Sequence, residues 1–277
     1  MKKQGINIVW IKRDIRSQDH EPLLKAERAG IPYLIVYVFE PSKIKHPDTS
    51  PRHLQFVYHS ITALNKTLAP FNRSVEVFYG EAIDVFEFLK NDVDINHLFS
   101  YRESGTQSTW QRDKQIKVVC KQHQIDWQES QRDGVLRGIK NRDDWNKLWH
   151  IKMHTPVIQN CYSVSQEDCL EHSFVLPKKL ESQLKEYPKQ YQPAGEQNAW
   201  RYLKSFTNQR GFNYQKHISK PTESRMACSR LSPYFAWGNM SIKQAFQFIG
   251  THPNGTRNSK VFSAMLTRLH WHCHFIQ

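Results

Sequence analysis

The N-terminal half of the chain alternates short apolar runs with segments in which apolar residues recur at helical spacing. The apolar runs predict five strands, at residues 6–11, 33–39, 75–79, 97–101 and 125–129. The intervening spacing predicts helices at residues 20–29, 52–68, 81–89 and 109–122. Strands that alternate with helices form a parallel sheet with right-handed crossovers. We therefore expect an α/β fold built on a five-stranded, doubly wound parallel sheet that is Rossmann-like.

The pattern changes twice after the last predicted strand. We expect an α/β domain at residues 1–131, a connector at 132–193 and a helical segment at 194–277. The connector has little periodicity, and proline and lysine are frequent in its second half. A connector of this length needs anchors, so three of its aromatic residues are expected to pack it onto a domain. These residues are Trp145, Trp149 and Tyr162.

The helical segment contains the string Cys228-Ser229-Arg230-Leu231-Ser232, which is a candidate binding loop. A helix is expected to begin here, and helix N-termini present free backbone N–H groups. The hydroxyls of Ser229 and Ser232 and the guanidinium of Arg230 could converge with those groups on a phosphate. The string therefore predicts an anion site, although a short run of this kind on its own more often caps a helix.

The distribution of charge favours an anionic partner. The chain has 277 residues and a formal net charge of +13. Residues 195–277 hold eleven lysines and arginines against two acidic residues, which places +9 in that segment. Aromatic residues interleaved with these cations could stack on nucleic-acid bases. A solvated basic surface over an ordinary aromatic core explains the composition equally well.

Other features argue against several classes of protein. No apolar run approaches the ~20 residues of a membrane span, and the N-terminus has no signal-peptide pattern. The five cysteines are scattered without a Cys-x-x-Cys pair, which favours reduced thiols and a cytoplasmic location. No Gly-x-Gly-x-x-Gly follows the first strand, which argues against a dinucleotide dehydrogenase. No catalytic triad or carboxylate pair is evident, so no catalytic residue is assigned.

Five stretches of the sequence together resemble the DNA photolyase/cryptochrome family. They are residues 7–19, 101–113, 134–145, 214–241 and 262–277. The resemblance implies an α/β antenna domain, a connector and a helical FAD-binding domain. In that family the first two stretches lie beside an antenna chromophore, and both a folate and a deazaflavin remain open here. Arg13 and Asp14, at the end of the first strand, are expected to pair with each other.

The resemblance also implies which residues bind FAD. They are Tyr214, Cys228, Ser229, Arg230, Leu231, Ser232, Met265 and Arg268. Cys228 stands where the family commonly has a threonine, which removes a hydroxyl donor. A phosphate contact at this position would therefore come from the backbone N–H of Cys228.

The last predicted helix carries the residues that the resemblance assigns to DNA and its lesion. They are Trp271, His272 and Arg268. An indole at position 271 suits a flipped base, which needs an apolar face to stack on. Arg268 stands where photolyases often have a glutamate that bonds to the lesion, so charge and hydrogen-bond polarity are reversed there.

Three histidines and a cysteine between residues 270 and 274 raise the alternative of a metal site. On a helix His270 and His274 share one face, whereas His272 and Cys273 point elsewhere. Two ligands are fewer than a zinc site requires, so no metal is expected.

By this resemblance the protein is a photolyase-type flavoprotein. Reduced FAD, excited by blue light directly or through an antenna pigment, donates an electron to a pyrimidine dimer in DNA, and the dimer splits. A cyclobutane dimer and a (6-4) photoproduct both remain open as the lesion. A cryptochrome-like blue-light receptor and a non-catalytic DNA- or nucleotide-binding remnant are the alternatives.

The chain ends within its last predicted helix, before the residues with which family members complete the flavin site. We therefore expect an N-terminal fragment with impaired activity. An incomplete helical bundle exposes apolar surface, through which copies could associate. A full-length member of the family is expected to be a monomer.

Overall fold

The structure is a computed structural model that describes residues 5–164, 166, 170–254 and 259–277. Its N-terminal part contains a five-stranded sheet whose neighbouring strands are all parallel. The strands are β1 (Gly5–Ile11), β2 (Tyr33–Phe39), β3 (Val75–Tyr79), β4 (Asp94–Tyr101) and β5 (Asp126–Ser130). Their order, β3-β2-β1-β4-β5, reverses direction between β1 and β4 and confirms the predicted doubly wound α/β fold.

The central strand β1 is buried on both faces. Ile6, Ile8 and Trp10 belong to one apolar cluster, and Val9 and Ile11 belong to another on the opposite face. Successive side chains of a strand point to opposite faces, so a strand that is covered on both sides reads as a continuous apolar run. This explains why β1 is visible in the sequence.

Helices of the α/β part flank the sheet. They are α1 (Glu21–Ala29), α2 (Pro41–Ile44), α3 (Pro51–Leu68), α4 (Ala82–Asp92) and α5 (Gln107–Gln122). Four of them match predicted helices to within a few residues at each end. The short helix α2 was not predicted, because four residues without a buried side chain offer no apolar period to detect.

The connector is more regular than predicted. It contains α6 (Trp145–His154) and α7 (Lys178–Lys185). Trp145, Trp149 and Met153 lie on one face of α6 and are buried in the same core as the later helices. Tyr162 instead packs against the sheet and donates a hydrogen bond to the carbonyl of Ser17 (2.6 Å). The expected aromatic anchors are therefore confirmed, and they fasten the connector to both parts of the molecule.

The helical segment consists of short helices around an aromatic core. They are α8 (Glu196–Ser205), α9 (Tyr214–His217), α10 (Pro221–Ala227), α11 (Ser232–Trp237), α12 (Ile242–Thr251) and α13 (Ser259–Ile276), with a π-helical turn at Phe206–Arg210. Phe206, Tyr234 and Phe262 are fully buried in this core. None of the helices in the described part of the chain is long and apolar enough to span a membrane.

Asp19 joins the helical segment to the sheet. Its buried carboxylate accepts hydrogen bonds from the Ser241 hydroxyl (2.6 Å) and the Ile158 backbone N–H (3.0 Å). It also forms an ion pair with Lys243 (2.7 Å), whose side chain is likewise buried. These contacts dock the region around α12 against the carboxyl edge of the sheet.

Candidate functional site

A cavity of about 320 Å³ lies at the carboxyl ends of the strands, close to the point where the strand order reverses. Residues from the sheet, from α2, α3 and α5, and from the end of α11 line it. Its aromatic walls include Trp10 from β1 and Trp237 from α11, and its polar groups include Arg13, Glu103 and Arg112. The cavity is therefore bounded by both parts of the molecule.

Charged side chains form a buried network along this cavity. Arg112 binds Glu40 (2.8 Å), Glu103 (2.6 Å) and its neighbour Asp113 (2.7 Å). Arg13 binds the other oxygen of Glu103 (2.9 Å). Burial by itself would raise the pKa of Glu103, but the positive charges, with Arg112 foremost, lower it to about 2. Glu103 is therefore a permanent anion at physiological pH.

The expected pair between Arg13 and Asp14 does not form. Arg13 binds Glu103 and stacks on Trp237 (4.8 Å from the ring centre). Asp14 instead binds the buried His20 ring (2.7 Å). The chain bends at Lys12 and Arg13 directly after β1, and the side chains of Arg13 and Asp14 enter different environments. Burial lowers the pKa of His20, and its ring is neutral with its Nε2–H directed at Asp14.

The candidate binding loop lies between α10 and α11. Arg230 has a left-handed backbone (φ 60°) and Leu231 a right-handed one (φ −87°). The backbone N–H groups of residues 229–232 donate to no acceptor in the described part of the chain. Alternating left- and right-handed residues form a nest, a concave arrangement of N–H groups that binds anions. We call residues 229–232 the nest.

Two expectations for this loop need correction. The Cys228 N–H donates to the carbonyl of Ser224 (2.9 Å), because it closes the last turn of α10, and so it is not available to a phosphate. The Arg230 side chain turns back toward the Arg225 carbonyl (3.5 Å) and lines a different groove. The two serines of the loop differ in exposure, because Ser229 is buried and Ser232 is exposed.

Arg210 holds the loop in place. Its guanidinium donates to the carbonyls of Cys228 and Ser229, with 3.2 Å to the latter. It also donates to the Tyr202 carbonyl (2.8 Å) and the Ser205 hydroxyl (2.7 Å). These bonds tie the end of α8 to the loop. Sequence reasoning missed Arg210, because nothing in its local sequence distinguishes it from a surface arginine.

The remaining residues implied for FAD divide into two groups. Leu231 and Met265 are 1% and 4% exposed and belong to the helical core, so their side chains are enclosed by core neighbours. Tyr214 is buried as well, and its ring packs edge-on against Phe206 (5.5 Å between centres). Arg268 is exposed. Burial raises the pKa values of Tyr214 and Cys228, and the positive charge of Arg268 opposes this rise at both residues.

The residues implied for DNA do not share one face of α13. Trp271 is 41% exposed, and Arg268 lies 4.4 Å from the centre of its ring. His272 turns inward instead, with its ring 5.9 Å from that of Phe235, and burial lowers its pKa. The side chain of His272 therefore does not face outward, as the predicted contact with DNA would require. Consecutive helical residues are 100° apart, so Trp271 and His272 cannot both face outward in the same direction.

The histidines of α13 pack rather than converge. His270 and His274 both lie against Trp145, at 4.9 and 5.5 Å between ring centres. Among the described residues no group of three or more histidine, cysteine or acidic side chains is arranged to hold a metal ion. The α6–α13 contact is thus made largely of aromatic rings that pack at tilted and edge-on angles.

A profile of the DNA photolyase family matches residues 7–194, which is more than half of the chain. The chain therefore belongs to the DNA photolyase family. Deoxyribodipyrimidine photo-lyase of Salmonella typhimurium is 29% identical over 126 residues, which are 41% of this chain and 26% of that protein. Cryptochrome-1 of Drosophila melanogaster is 25% identical over 136 residues, which are 47% of this chain and 25% of that protein.

Solved structures extend the likeness in fold to nearly the whole chain. A class III photolyase from Agrobacterium tumefaciens has a TM-score of 0.76 at 19% identity, covering 99% of this chain and 60% of that one. A photolyase from Sulfolobus tokodaii, solved with two FAD molecules, has a TM-score of 0.68 at 19% identity, covering 96% and 60%. The chain thus spans about a quarter of the curated relatives named above and three fifths of these structures.

Proposed function

We propose that this chain forms the antenna domain and the first part of the flavin site of a photolyase-type flavoprotein that repairs pyrimidine dimers in DNA with light. The observation that carries the proposal is the nest, whose backbone N–H groups find no acceptor among the described residues and which lies in the loop that resembles the family's FAD-binding segment. Such groups are matched to the pyrophosphate of FAD. FAD, when bound, would supply the absorption of light and the transferred electron.

The chain's own residues would hold the phosphate end of the cofactor. The nest donates hydrogen bonds, the exposed Ser232 adds a hydroxyl, and Arg268 adds a positive charge beside Tyr214. Arg210 keeps the loop in its conformation through the carbonyls of Cys228 and Ser229. Burial of Leu231 beneath the loop fixes the nest on a rigid core, so that little order is lost when an anion binds.

The cavity at the carboxyl edge of the sheet is proposed to hold a second, light-harvesting chromophore. Its volume of about 320 Å³ is within the range of small-molecule sites. Trp10 and Trp237 offer aromatic faces, while Arg112 and Glu103 offer fixed charges. The helix α11 begins at Ser232, the last residue of the nest, and ends at Trp237, in the cavity wall, so about 7.5 Å of one short helix connects the two proposed sites.

Binding of FAD to the purified chain tests the proposal. Adding FAD, removing the excess and recording the visible spectrum is expected to show retained flavin bands. Arg268→Ala is expected to weaken binding about tenfold, because one charge–phosphate contact is lost. Lys260→Ala removes an exposed charge from the same helix and serves as the matched control. A chain that stays colourless, or equal losses in the two variants, would contradict the proposal.

Repair is tested separately on an oligonucleotide that carries a thymine dimer. Flavin-loaded protein is expected to split the dimer into two intact thymines under blue light and not in darkness. Trp271→Ala is expected to reduce repair by at least about tenfold, because the flipped base loses the indole on which it would stack. Flavin retention by this variant at the wild-type level would show that the pocket is intact.

One observation favours a cryptochrome-like light receptor as the second candidate. Arg268 replaces the glutamate common in photolyases and lies over the Trp271 ring (4.4 Å), on a face that a flipped base would need. Flavin binding without any light-dependent repair would support this second function. Light-dependent repair would exclude the light-receptor role as the main activity.

A further inference from the structure

A groove with a positively charged lining lies beside the candidate binding loop, where the connector meets α8 and α10. Its volume is about 640 Å³. The cations that line it are Lys189, Arg201, Arg210, Arg225 and Arg230. None of its lining residues is acidic, and within the described part of the chain none of these side chains forms an ion pair with a carboxylate. We call it the basic groove.

Among the described residues, no carboxylate forms an ion pair with the cations of the basic groove. Burial lowers the pKa of Arg210, and the positive charge of Arg230 lowers it further. The partly buried charge of Arg210 is stabilised by hydrogen bonds to backbone carbonyls. Lys189, Arg201 and Arg225 are exposed instead. Like charges that are held together in this way repel, so an anion from outside the chain stabilises them.

Tyrosines lie between these cations. Tyr191 is 36% exposed, and the guanidinium of Arg52 lies 5.2 Å from the centre of its ring. Tyr202 lies between Arg201 and Arg210, at 5.8 and 5.7 Å. Proteins that bind single strands combine cations for the phosphates with aromatic rings on which successive bases stack.

We infer that the basic groove binds single-stranded nucleic acid, through its phosphates and stacked bases and without regard to a lesion. The groove is open, and its cations come from the connector, α8, the π-helical turn, α10 and the candidate binding loop. Five cations distributed over these elements fit a chain of phosphates better than the compact phosphates of one nucleotide. Tyr214, Arg268 and Trp271 do not line it. Arg230 contributes its backbone to the nest and its side chain to the basic groove, so the groove adjoins the proposed flavin site and excludes the proposed lesion-binding residues.

The test is fluorescence anisotropy of a labelled twelve-residue oligothymidylate with the full chain, at several KCl concentrations and without FAD. The triple variant Lys189→Gln, Arg201→Gln, Arg225→Gln is expected to bind at least about tenfold more weakly at low salt. Its slope of log affinity against log salt is expected to fall by about 2, because each phosphate contact contributes about 0.7. The matched control, Lys66→Gln, Lys117→Gln, Lys121→Gln, removes three exposed charges elsewhere and is expected to keep the slope.

A second variant separates base stacking from charge. Tyr191→Leu is expected to weaken binding about fivefold, whereas Tyr191→Phe keeps the ring and is expected to bind like the wild type. Equal losses in the two triple variants would overturn the inference in favour of general positive charge. Tighter binding of ATP than of the oligonucleotide would overturn it in favour of a free nucleotide. The assay contains neither flavin nor lesion, so its result is independent of the repair proposal.

Discussion

Glu103 illustrates how single residues are determined by their charged neighbours. It lies at the end of β4, where Arg112 and Arg13 both reach it. Removing one member of such a buried group leaves the other charges unpaired, which costs more than an exposed pair contributes. The network shapes the sheet cavity because four of its members, Arg13, Glu40, Glu103 and Arg112, line the wall.

The low pKa of Glu103 makes the fold sensitive to acid. The folded pKa is about 2 and the unfolded value is 4.5, so the carboxylate stabilises the fold above pH 4.5 and loses this effect as the pH falls toward 2. We expect the advantage of the wild type over Glu103→Gln to shrink by about 2 kcal/mol between pH 6 and pH 3. Urea unfolding at both pH values measures it, with the exposed Glu223→Gln as control. An advantage that does not change with pH would contradict the assignment.

The end of α11 shows how one element is positioned by close backbone approach. Gly238 has a left-handed backbone (φ 72°), and a Cβ atom there would lie 2.2 Å from the Arg13 carbonyl oxygen and 2.5 Å from the Asp14 Cα. Only glycine allows α11 to end directly on the strand-to-helix turn after β1. This contact brings Trp237 to the cavity wall.

Replacing this glycine separates strain from collision. Gly238→Ala is expected to destabilise the protein by more than about 3 kcal/mol, because left-handed strain adds to a backbone clash. Gly30→Ala has the same left-handed strain (φ 70°) but no atom within 4 Å, and is expected to cost about 1 kcal/mol. The midpoints of urea unfolding give both values. Similar losses at the two positions would show that the close approach is not made.

At the scale of the whole molecule, the sheet and the helical segment are joined by buried polar contacts. Asp19 accepts from Ser241 and pairs with Lys243, and the amide of Asn239 donates to the Ile15 carbonyl (2.9 Å). Buried groups of this kind are satisfied in only one relative placement of the two parts. The division into parts at residues 131 and 193 remains a prediction.

Neutralising Asp19 is expected to weaken the contact between the sheet and the helical segment. Asp19→Asn keeps a side chain that tolerates φ 54° but leaves Lys243 buried and unpaired, which should cost about 3–5 kcal/mol. Urea unfolding measures the loss, and limited trypsin digestion is expected to cut the helical segment faster. Asp48→Asn, whose side chain is 80% exposed, is the control. Indistinguishable behaviour of the two variants would contradict the role of Asp19.

Local pattern determined much of the architecture. β1 and β2 are apolar along their length because both faces are buried, and α3 shows a helical period over 18 residues, so each was predicted within a few residues. The string from Cys228 to Ser232 indicated a binding loop, and the backbone N–H groups of residues 229–232 donate to no acceptor among the described residues; that the loop binds an anion remains a prediction. The helix α6 was missed because only three of its ten residues are buried, which is a weak local signal.

Tertiary structure decided the partners of each charge. From the sequence by itself, Arg13 and Asp14 were expected to pair with each other. In the structure Arg13 binds Glu103, which is 90 residues away in the sequence, and Asp14 binds His20. Likewise the Cys228 N–H was expected to be available to a phosphate, but it donates to the Ser224 carbonyl at the end of α10. The role of Arg210 was not predicted, because its contact with the Cys228 carbonyl joins residues 18 positions apart in the sequence. Periodicity reports burial, which is a local average, whereas ion pairs depend on distances that only the folded chain defines.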